Sequence, residues 1–398
     1  MRHDDDAFDV VVLGAGPGGG LSALAAARAG ARTLLVDRAS FPRDKVCGCC
    51  LASRGRAVLE SAGVARRVLD HAVRDDAGDH ERGRVARVTL RIGAVASAAA
   101  SASFPVPGYT TIARASMDAA LVEEAVRAGA VFRDRVAASV DAAGGRVRLG
   151  EGASVRTRVV IVADGLGSAS LRDDARFAWR ERAGSHVGLG AVVRAEGARE
   201  LARIFDHHAI SMTVGGAGYV GAAALGAGDA WSVAAAVAPE AVRTSKDGAR
   251  GVVRQILQDA GLGTAWLEAV AFKGTPTLTR RRAAIEGDAR VFLVGDSTGY
   301  VEPFTGEGMS WALVGAQALH PHVMSALRRS YAPGAWSASA ARLARRGQVG
   351  CKGVAWLLRR PELARAAVRV IGVRPGLGGA IGRAIVGRGR VAACGSAA

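Results

Sequence analysis

Lysine is nearly absent: of 53 basic residues in 398, only Lys45, Lys246, Lys273 and Lys352 are not arginine. Aromatic residues make up 5% of the chain, so alanine and glycine must fill much of its interior. Each scarcity excludes something. The net charge of +17 invites a nucleic-acid reading, yet no basic run is interleaved with aromatic side chains, and no nucleic acid is expected as a partner. Arginine without lysine in an alanine- and glycine-rich chain reflects genome composition more readily than a binding surface. Five cysteines, three of them crowded at Cys47, Cys49 and Cys50, make no disulfide framework. That trio lacks a fourth ligand at zinc spacing, so no metal site is expected. The acidic start Met1-Arg2-His3-Asp4-Asp5-Asp6 has no apolar core of the kind a secretory signal needs. Residues 93–113 and 209–228 are long and uncharged, but too rich in Gly, Ala, Ser or Pro to read as spanning helices. The expectation is a soluble, cytoplasmic protein of two or three domains.

What is present begins at residue 8. The apolar run Phe8-Asp9-Val10-Val11-Val12-Leu13 reads as a strand. Gly14-Ala15-Gly16-Pro17-Gly18-Gly19 follows at once, then the helix-forming residues 21–28. A second apolar run, Thr33-Leu34-Leu35-Val36, ends in Asp37. The parts fit a dinucleotide-binding βαβ unit. Gly14 permits the tight turn, Gly16 lets the backbone approach a pyrophosphate, and Gly19 lets helix and strand pack closely. The helix N-terminus offers unpaired N–H groups and partial positive charge to the diphosphate. Asp37, at the end of the second strand, suits the ribose hydroxyls. A bare glycine motif says little; its placement between strand and helix, with the acid at the right distance, makes it specific.

Further along, residues 54–70 read as a helix, 84–92 as a strand, and 101–104 as its pairing partner. Ser116 is placed to cap a helix running to Ala128. Residues 131–162 read as strands with turns near Gly144 and Gly152, ending in a buried strand before Asp164-Gly165. Residues 186–194, 209–214, 218–225 and 231–237 read as a separate sheet with little helix. The nucleotide pattern returns at Arg290-Val291-Phe292-Leu293-Val294-Gly295-Asp296. Residues 330–338 read as a linker, and the tail from Ser339 as helical and strongly basic. The expected fold class is α/β, a Rossmann-like nucleotide domain with an inserted β-rich substrate domain and a helical C-terminal tail. The nucleotide domain takes residues 1–75, 104–183 and 272–330, the substrate domain 76–103 and 184–271, and the basic region 331–398.

Three remote segments thus share one logic, an apolar strand ending in a small residue and an acid. Together they resemble the FAD-binding proteins of the para-hydroxybenzoate hydroxylase fold, over roughly residues 8–330. The resemblance implies that Gly14–Gly19, Asp37 and Arg38 hold the ADP half of FAD, and that Asp164-Gly165 forms a second dinucleotide motif. It further implies that Asp296 binds the ribityl chain. Arg114, in Arg114-x-x-x-Asp118-x-x-Leu121, resembles the arginine-bearing helix start near the flavin. The run Pro303-Phe304-Thr305-Gly306-Glu307-Gly308-Met309 opens a helix whose N-terminus, at Gly306, Gly308 and Met309, would stabilise negative charge on the ring. Within the superfamily the chain is most similar to the geranylgeranyl reductase-like branch, through Arg43-Asp44-Lys45-Val46-Cys47-Gly48 and Gly295-Asp296-Ser297-Thr298-Gly299. Lys45, Cys47 and Gly48 are thereby implied as flavin neighbours. The branch's Y-x-W-x-F-P lipid-pocket signature is replaced here by Gly218-Tyr219-Val220-Gly221-Ala222-Ala223. The histidine that aromatic hydroxylases carry after the Gly-Asp pair and the halogenases' W-x-W-x-I-P are both missing.

Cys47 has two readings, a catalytic thiol beside the flavin acting as proton donor or redox partner, and a small buried side chain. Cys49 and Cys50 read as buried and inert. The tail carries thirteen arginines and one lysine after residue 320 against Glu362 alone. It reads either as a solvated helix face packed on the FAD domain or as a weak peripheral contact with anionic lipid at the inner face of a membrane. His207-His208 reads as an exposed turn.

These implications converge on an FAD-dependent oxidoreductase, with NAD(P)H as reductant and an apolar prenyl- or polyketide-like substrate reduced between two domains. The alternatives are a monooxygenase hydroxylating an aromatic or polyketide substrate through a flavin hydroperoxide, and a flavin-binding electron carrier without a reaction of its own.

Overall fold

The first strand, Ala7–Leu13, keeps Val10, Val11 and Val12 away from solvent on both of its faces. A strand of that kind belongs in the middle of a covered parallel sheet. The computed structural model puts it there; it describes residues 7–73, 83–93, 99–141, 145–226, 228–302, 304, 306–358 and 360–386. Strands Val131–Arg133, Thr33–Val36, Ala7–Leu13, Ala153–Val162 and Val291–Leu293 lie side by side in that order, all parallel. Chain order reverses between Ala7–Leu13 and Ala153–Val162, the switch point at which open α/β sheets bind ligands. Glu286–Gly287 closes one edge antiparallel, and Ala138–Val140 and Arg146–Leu149 extend the sheet beyond Ala153–Val162.

Helices Pro17–Arg28, Arg114–Arg127 and Gly308–Leu327 cover one face of this sheet, burying Leu24, Leu121 and Leu313 against Val10 and Val12. Pro17 opens the first of them, where its fixed φ and missing N–H cost nothing. Glycine sets the spacing: a side chain at Gly20 would come within 2.9 Å of Leu121 Cβ.

The second sheet has eight strands, in the order Lys273–Thr277, Val187–Arg194, Ala230–Val237, Gly218–Leu225, Ala209–Gly215, Arg84–Ile92, Ala100–Thr111 and Cys50–Leu51. One face buries Trp231 and Val233 under helices Ala195–Ile204 and Gly248–Gln258. The other face carries Ile210, Met212 and Tyr219, and shares its apolar cluster with Leu166, Tyr300 and Ala364. A small third sheet joins Trp179–Glu181, Arg280–Arg282 and Gly299–Tyr300.

The α/β class, the inserted sheet and the helical tail are as the sequence implied, and several local expectations are corrected. The second sheet reaches past the expected limits at 103 and 271, because Ala100–Thr111 continues as one strand and Lys273–Thr277 pairs with Val187–Arg194. Helices lie among its strands where little helix was expected; their alanines, glycines and arginines blur the apolar period. The helix read over 54–70 is two, Ser53–Ser61 and Ala65–Val73, parted at Gly63 with φ of 66°. Ser116 caps nothing, since the helix starts at Arg114 after an extended Ala113. The linker read over 330–338 is anchored: Trp336 is buried and its Nε1 donates to Leu293 O at 2.9 Å. The basic tail packs on both the FAD domain and the second sheet: Ala340 lies against the FAD-domain core and Ser339 meets His322, while Ala364 and Val368 join the second sheet's apolar cluster and Gly378 lies against Phe104.

Candidate functional site

At the switch point the glycine loop is shaped by what a side chain would strike. Gly14 has φ of 97°, and a Cβ there would lie 2.5 Å from Ala163 O, so the first strand's exit presses directly on the Ala163-Asp164 corner. A Cβ at Gly19 would fall 1.8 Å from Gly14 O. The helix that follows has Gly16 as its N-cap with no side-chain cap, leaving its first N–H groups for a ligand. Around that opening stand cations: Arg114 and Arg43 guanidinium nitrogens lie 3.4 and 3.8 Å from where a Gly16 Cβ would be. An uncapped helix start, a cradle that a Cβ would narrow and two flanking guanidinium groups together fit a diphosphate.

Asp37 is held at the end of Thr33–Val36. It accepts Ala15 N at 2.8 Å, Ala39 N at 2.9 Å and Arg43 Nη2 at 3.1 Å. Arg43 reaches from there to Asp118, which also takes a two-pronged contact from Arg114 at 3.0 and 2.6 Å. Asp118 is fully buried, so its charge is neutralised from two sides. The spacing of Arg114 and Asp118, four residues apart on one helix, makes the fork possible.

A serine joins the second and third motifs. Ser297 Oγ donates to Asp164 Oδ1 at 3.2 Å and accepts Gly165 N at 2.9 Å. Gly165, with φ of 76°, leaves room for Lys45, whose Nζ would lie 2.7 Å from a Cβ there. Arg282, from the third sheet, donates to Ser168 O at 3.1 Å and braces the same corner. Burial and the nearby Arg114 hold the Lys45 ammonium below the ordinary lysine range, against the pull of Asp296. Burial raises the Asp296 carboxyl, with Lys45 and Arg114 opposing it.

The loop over residues 45–50 lies between the two large sheets. Cys47 O accepts Ser232 Oγ at 2.9 Å, and Val46 packs where a side chain at Gly190 would stand. The Cys47 thiol is lowered to about 6, first by a hydrogen bond from Cys49 and, against burial, by the charge of Arg114. Burial pushes Cys50 up to about 12. Tyr300 is raised by burial and by the negative charges of Asp296 and Cys47. The start of helix Gly308–Leu327 adjoins this group: Gly306 meets Cys50, Gly308 meets Tyr300, and Ala52 N donates to Ser310 Oγ at 2.9 Å. Glu307, at that helix start, is paired with Arg54 at 2.8 Å.

Nearly every residue singled out from the sequence is therefore brought to one place. Gly14, Ala15, Gly16, Pro17, Gly18, Gly19, Asp37, Lys45, Cys47, Gly48, Arg114, Asp164, Gly165 and Asp296 lie on the loops, helix starts and strand ends joined by these contacts, and Gly306 and Gly308 adjoin Cys50 and Tyr300. Arg38 stands exposed at the edge of this group, 3.6 Å from the Cβ position of Gly167. The Met309 side chain is buried in the helix-covered core, leaving only its backbone near the site. Pro303 and Thr305 lie outside the described residues. The bracing roles of Ser297 and Arg282 were missed; no local motif marks a side chain that acts across 114 to 133 residues. A surface hollow beside Arg250, Glu268 and Phe272 lies on the far side of the second sheet and holds none of these groups.

The sheet order, the glycine loop at the switch point and the acid after the second strand define a dinucleotide-binding protein of the Rossmann-like class. The chain belongs to the FAD binding domain family, which it matches over residues 7–345, and FAD is its cofactor. It is 37% identical over 169 residues to a menaquinone reductase of Mycobacterium tuberculosis, covering 41% of this chain and 39% of that protein. The chain thus matches about two-fifths of that relative's length. Among solved structures it is similar to a flavoprotein/dehydrogenase from Cytophaga hutchinsonii, with a TM-score of 0.76 and 16% identity over 96% of this chain and 93% of the other. It is also similar to halogenase PltM in complex with phloroglucinol and FAD, with a TM-score of 0.69 and 15% identity over 95% and 85% of the two chains. At those identities the likeness is one of fold.

The thiol beside Arg114 gives a direct readout. In fully reduced protein, Cys47 alkylation by iodoacetamide should rise with pH through a midpoint near 6, where an ordinary cysteine shows about 8.5. The sign follows from the thiolate being the nucleophile, so lowering its pKa moves reactivity to lower pH. Lys45, Arg114, Cys49, Cys50, Asp296 and Tyr300 are the ionisable groups around it, and Arg114→Met should move the midpoint upward. A midpoint at or above 8 would contradict the site's electrostatics.

Proposed function

We propose that the chain passes reducing equivalents from NAD(P)H through FAD to an apolar organic substrate of the quinone or polyprenyl class. The observation that carries this reading is the position of the loop over residues 45–50. Its thiols and cations belong to the nucleotide cleft, while Cys50 shares an apolar cluster with Leu166, Met212, Tyr219 and Tyr300 of the neighbouring wall. Tyr219 and Phe304 meet edge to face there, 5.1 Å apart, an aromatic surface suited to a flat or unsaturated apolar ligand. The name of the mycobacterial relative, menaquinone reductase, agrees with that chemistry.

FAD, when bound, supplies the hydride chemistry, and the chain binds, orients and tunes charge. Gly14–Gly19 and the helix start at Pro17 hold the diphosphate, with Arg43 and Arg114 adding positive charge. Asp37 receives ribose hydroxyls and Asp296 the polyol chain. The helix start at Gly308, with Glu307 neutralised by Arg54, favours negative charge on the ring side. Cys47 holds a proton at Sγ below its pKa, while Cys50 and Tyr300 are the thiol and hydroxyl that lie in the apolar wall itself.

The outer face of the C-terminal helices fits delivery of such a substrate from a bilayer. Trp356, Leu363, Val370, Val373, Leu377 and Ile381 are exposed there, flanked by Arg360, Arg369 and Arg374. Exposed apolar side chains interleaved with arginine match an anionic lipid surface. Among the described residues no helix is long and apolar enough to cross a membrane.

One experiment tests both parts. Holoprotein reduced anaerobically by NADPH or NADH is mixed with a long-chain quinone in vesicles, either zwitterionic or containing anionic lipid. Flavin reoxidation without oxygen, faster with anionic vesicles, is expected. Equal rates in both vesicles would remove the bilayer contact. No reoxidation by quinones or polyprenyl acceptors, together with oxygen consumption yielding a hydroxylated product, would overturn the reductase reading in favour of a monooxygenase.

A further inference from the structure

Three thiols lie within four residues of one another at the junction of the two large sheets, and the mechanism above uses only one. Their side chains divide into a pair and an outlier. Cys49 N donates to Cys47 Sγ at 3.3 Å, which sets the Cys47 sulfur against the Cys49 backbone, and each thiol shifts the titration of the other. Cys50 instead donates to Gly48 O at 3.1 Å and packs towards Gly306. Cys49 sits in the left-handed region, φ 55°, a conformation that non-glycine residues adopt at a cost. Gly48, between Cys47 and Cys49, is open, with nothing within 4 Å of a Cβ placed on it, so no neighbouring atom packs on the loop at that point.

We propose that Cys47 and Cys49 are a redox pair that closes to a disulfide and exchanges two electrons with the bound flavin. The proposal rests on FAD occupying the cleft described above. The chemistry balances. The Cys47 thiolate and the Cys49 thiol form the Sγ–Sγ bond, giving up two electrons and the Cys49 proton. Oxidised FAD takes those two electrons with two protons, one from Cys49 and one from solvent. Reduction of the flavin by NAD(P)H drives the same step backwards and reopens the pair. Division of labour follows from the surroundings. The contact with Cys49, and after it Arg114, favours the Cys47 thiolate as attacking group, while the contact with Cys47, and after it burial, keeps Cys49 protonated as the resolving thiol. Cys50, shielded and protonated, stays out.

The test uses holoprotein and counts electrons and thiols rather than turnover. Anaerobic dithionite titration of air-equilibrated protein should consume four electrons per flavin in the wild type and in Cys50→Ser, and two in Cys49→Ser and Cys47→Ser. Alkylation under denaturing conditions without reductant gives an independent readout, because all three thiols fall on one tryptic peptide, residues 46–54. That peptide should carry one alkyl group, on Cys50, before reduction and three after NADPH. A yellow wild-type protein that takes two electrons per flavin, with all three cysteines alkylated before reduction, would overturn the pair while leaving the flavin assignment intact. A protein that neither carries nor binds FAD would instead overturn the flavin reading on which the pair depends.

Discussion

Replacing Asp118 by alanine should lower the free energy of unfolding by about 3–5 kcal/mol, the range for removing one partner of a buried charge group. Asp118 is fully buried and answers two guanidinium groups, Arg114 at 3.0 and 2.6 Å and Arg43 at 3.1 Å. Without it, two cations share an interior with no carboxylate between them. Surface pairs offer a contrast: Arg56–Glu60, four residues apart and more than half exposed on both sides, is worth roughly 0.3–0.5 kcal/mol. The same substitution leaves Arg43 anchored by Asp37 alone, loosening its place beside the diphosphate cradle, so FAD retention should fall as well. Urea unfolding followed by circular dichroism measures the first effect, and the flavin-to-protein absorbance ratio the second. A loss below about 1 kcal/mol with full flavin content would show that the cluster is solvated rather than buried.

Among the described glycines, Gly19→Ala would press its added methyl closest onto backbone and should be severely damaging. The added carbon would sit 1.8 Å from the carbonyl oxygen of Gly14 and 3.1 Å from Ala163 Cβ. The obstructing atom is backbone, so no rotamer change relieves it; strand, loop and helix must move apart. Overpacking commonly costs about 1–3 kcal/mol and more where backbone must shift, and here the shift also opens the diphosphate cradle. The variant is expected to purify without flavin and with a lowered melting temperature. Gly353→Ala supplies the control. Nothing lies within 4 Å of that position, so the change should stabilise by about 0.5–1 kcal/mol through helix propensity. Wild-type flavin content in Gly19→Ala would refute the close packing of helix on strand.

The nucleotide grip was legible because it is local. Strand, glycine turn, helix and acid fall within residues 7–37, and each needs a residue type that few others replace. The convergence of Asp164 and Asp296 on that grip needed the resemblance, since either acid alone is ordinary for a strand end. What escaped reading acts at a distance. Ser297 joins two motifs 132 and 133 positions apart, and serine has no sequence signature for such a role. Ser116 misled because Arg114 forks to Asp118 within the helix and Arg43 holds Asp118 from outside it, so the helix begins at Arg114, ahead of the expected cap. The helices Ala195–Ile204 and Gly248–Gln258 hid behind a composition in which alanine, glycine and arginine blunt the contrast between inner and outer faces. Trp336 looked like part of a spacer because nothing in its neighbours announces the carbonyl of Leu293 that it seeks.

One small tether changes how the molecule must respond to motion. Ser232 holds the carbonyl of Cys47 from the far sheet, while the sulfur of the same residue answers to Arg114 on the near side. Any hinge between the two halves therefore pulls on a single amino acid from opposite directions. Its reactivity becomes a gauge of how wide the cleft stands at a given instant.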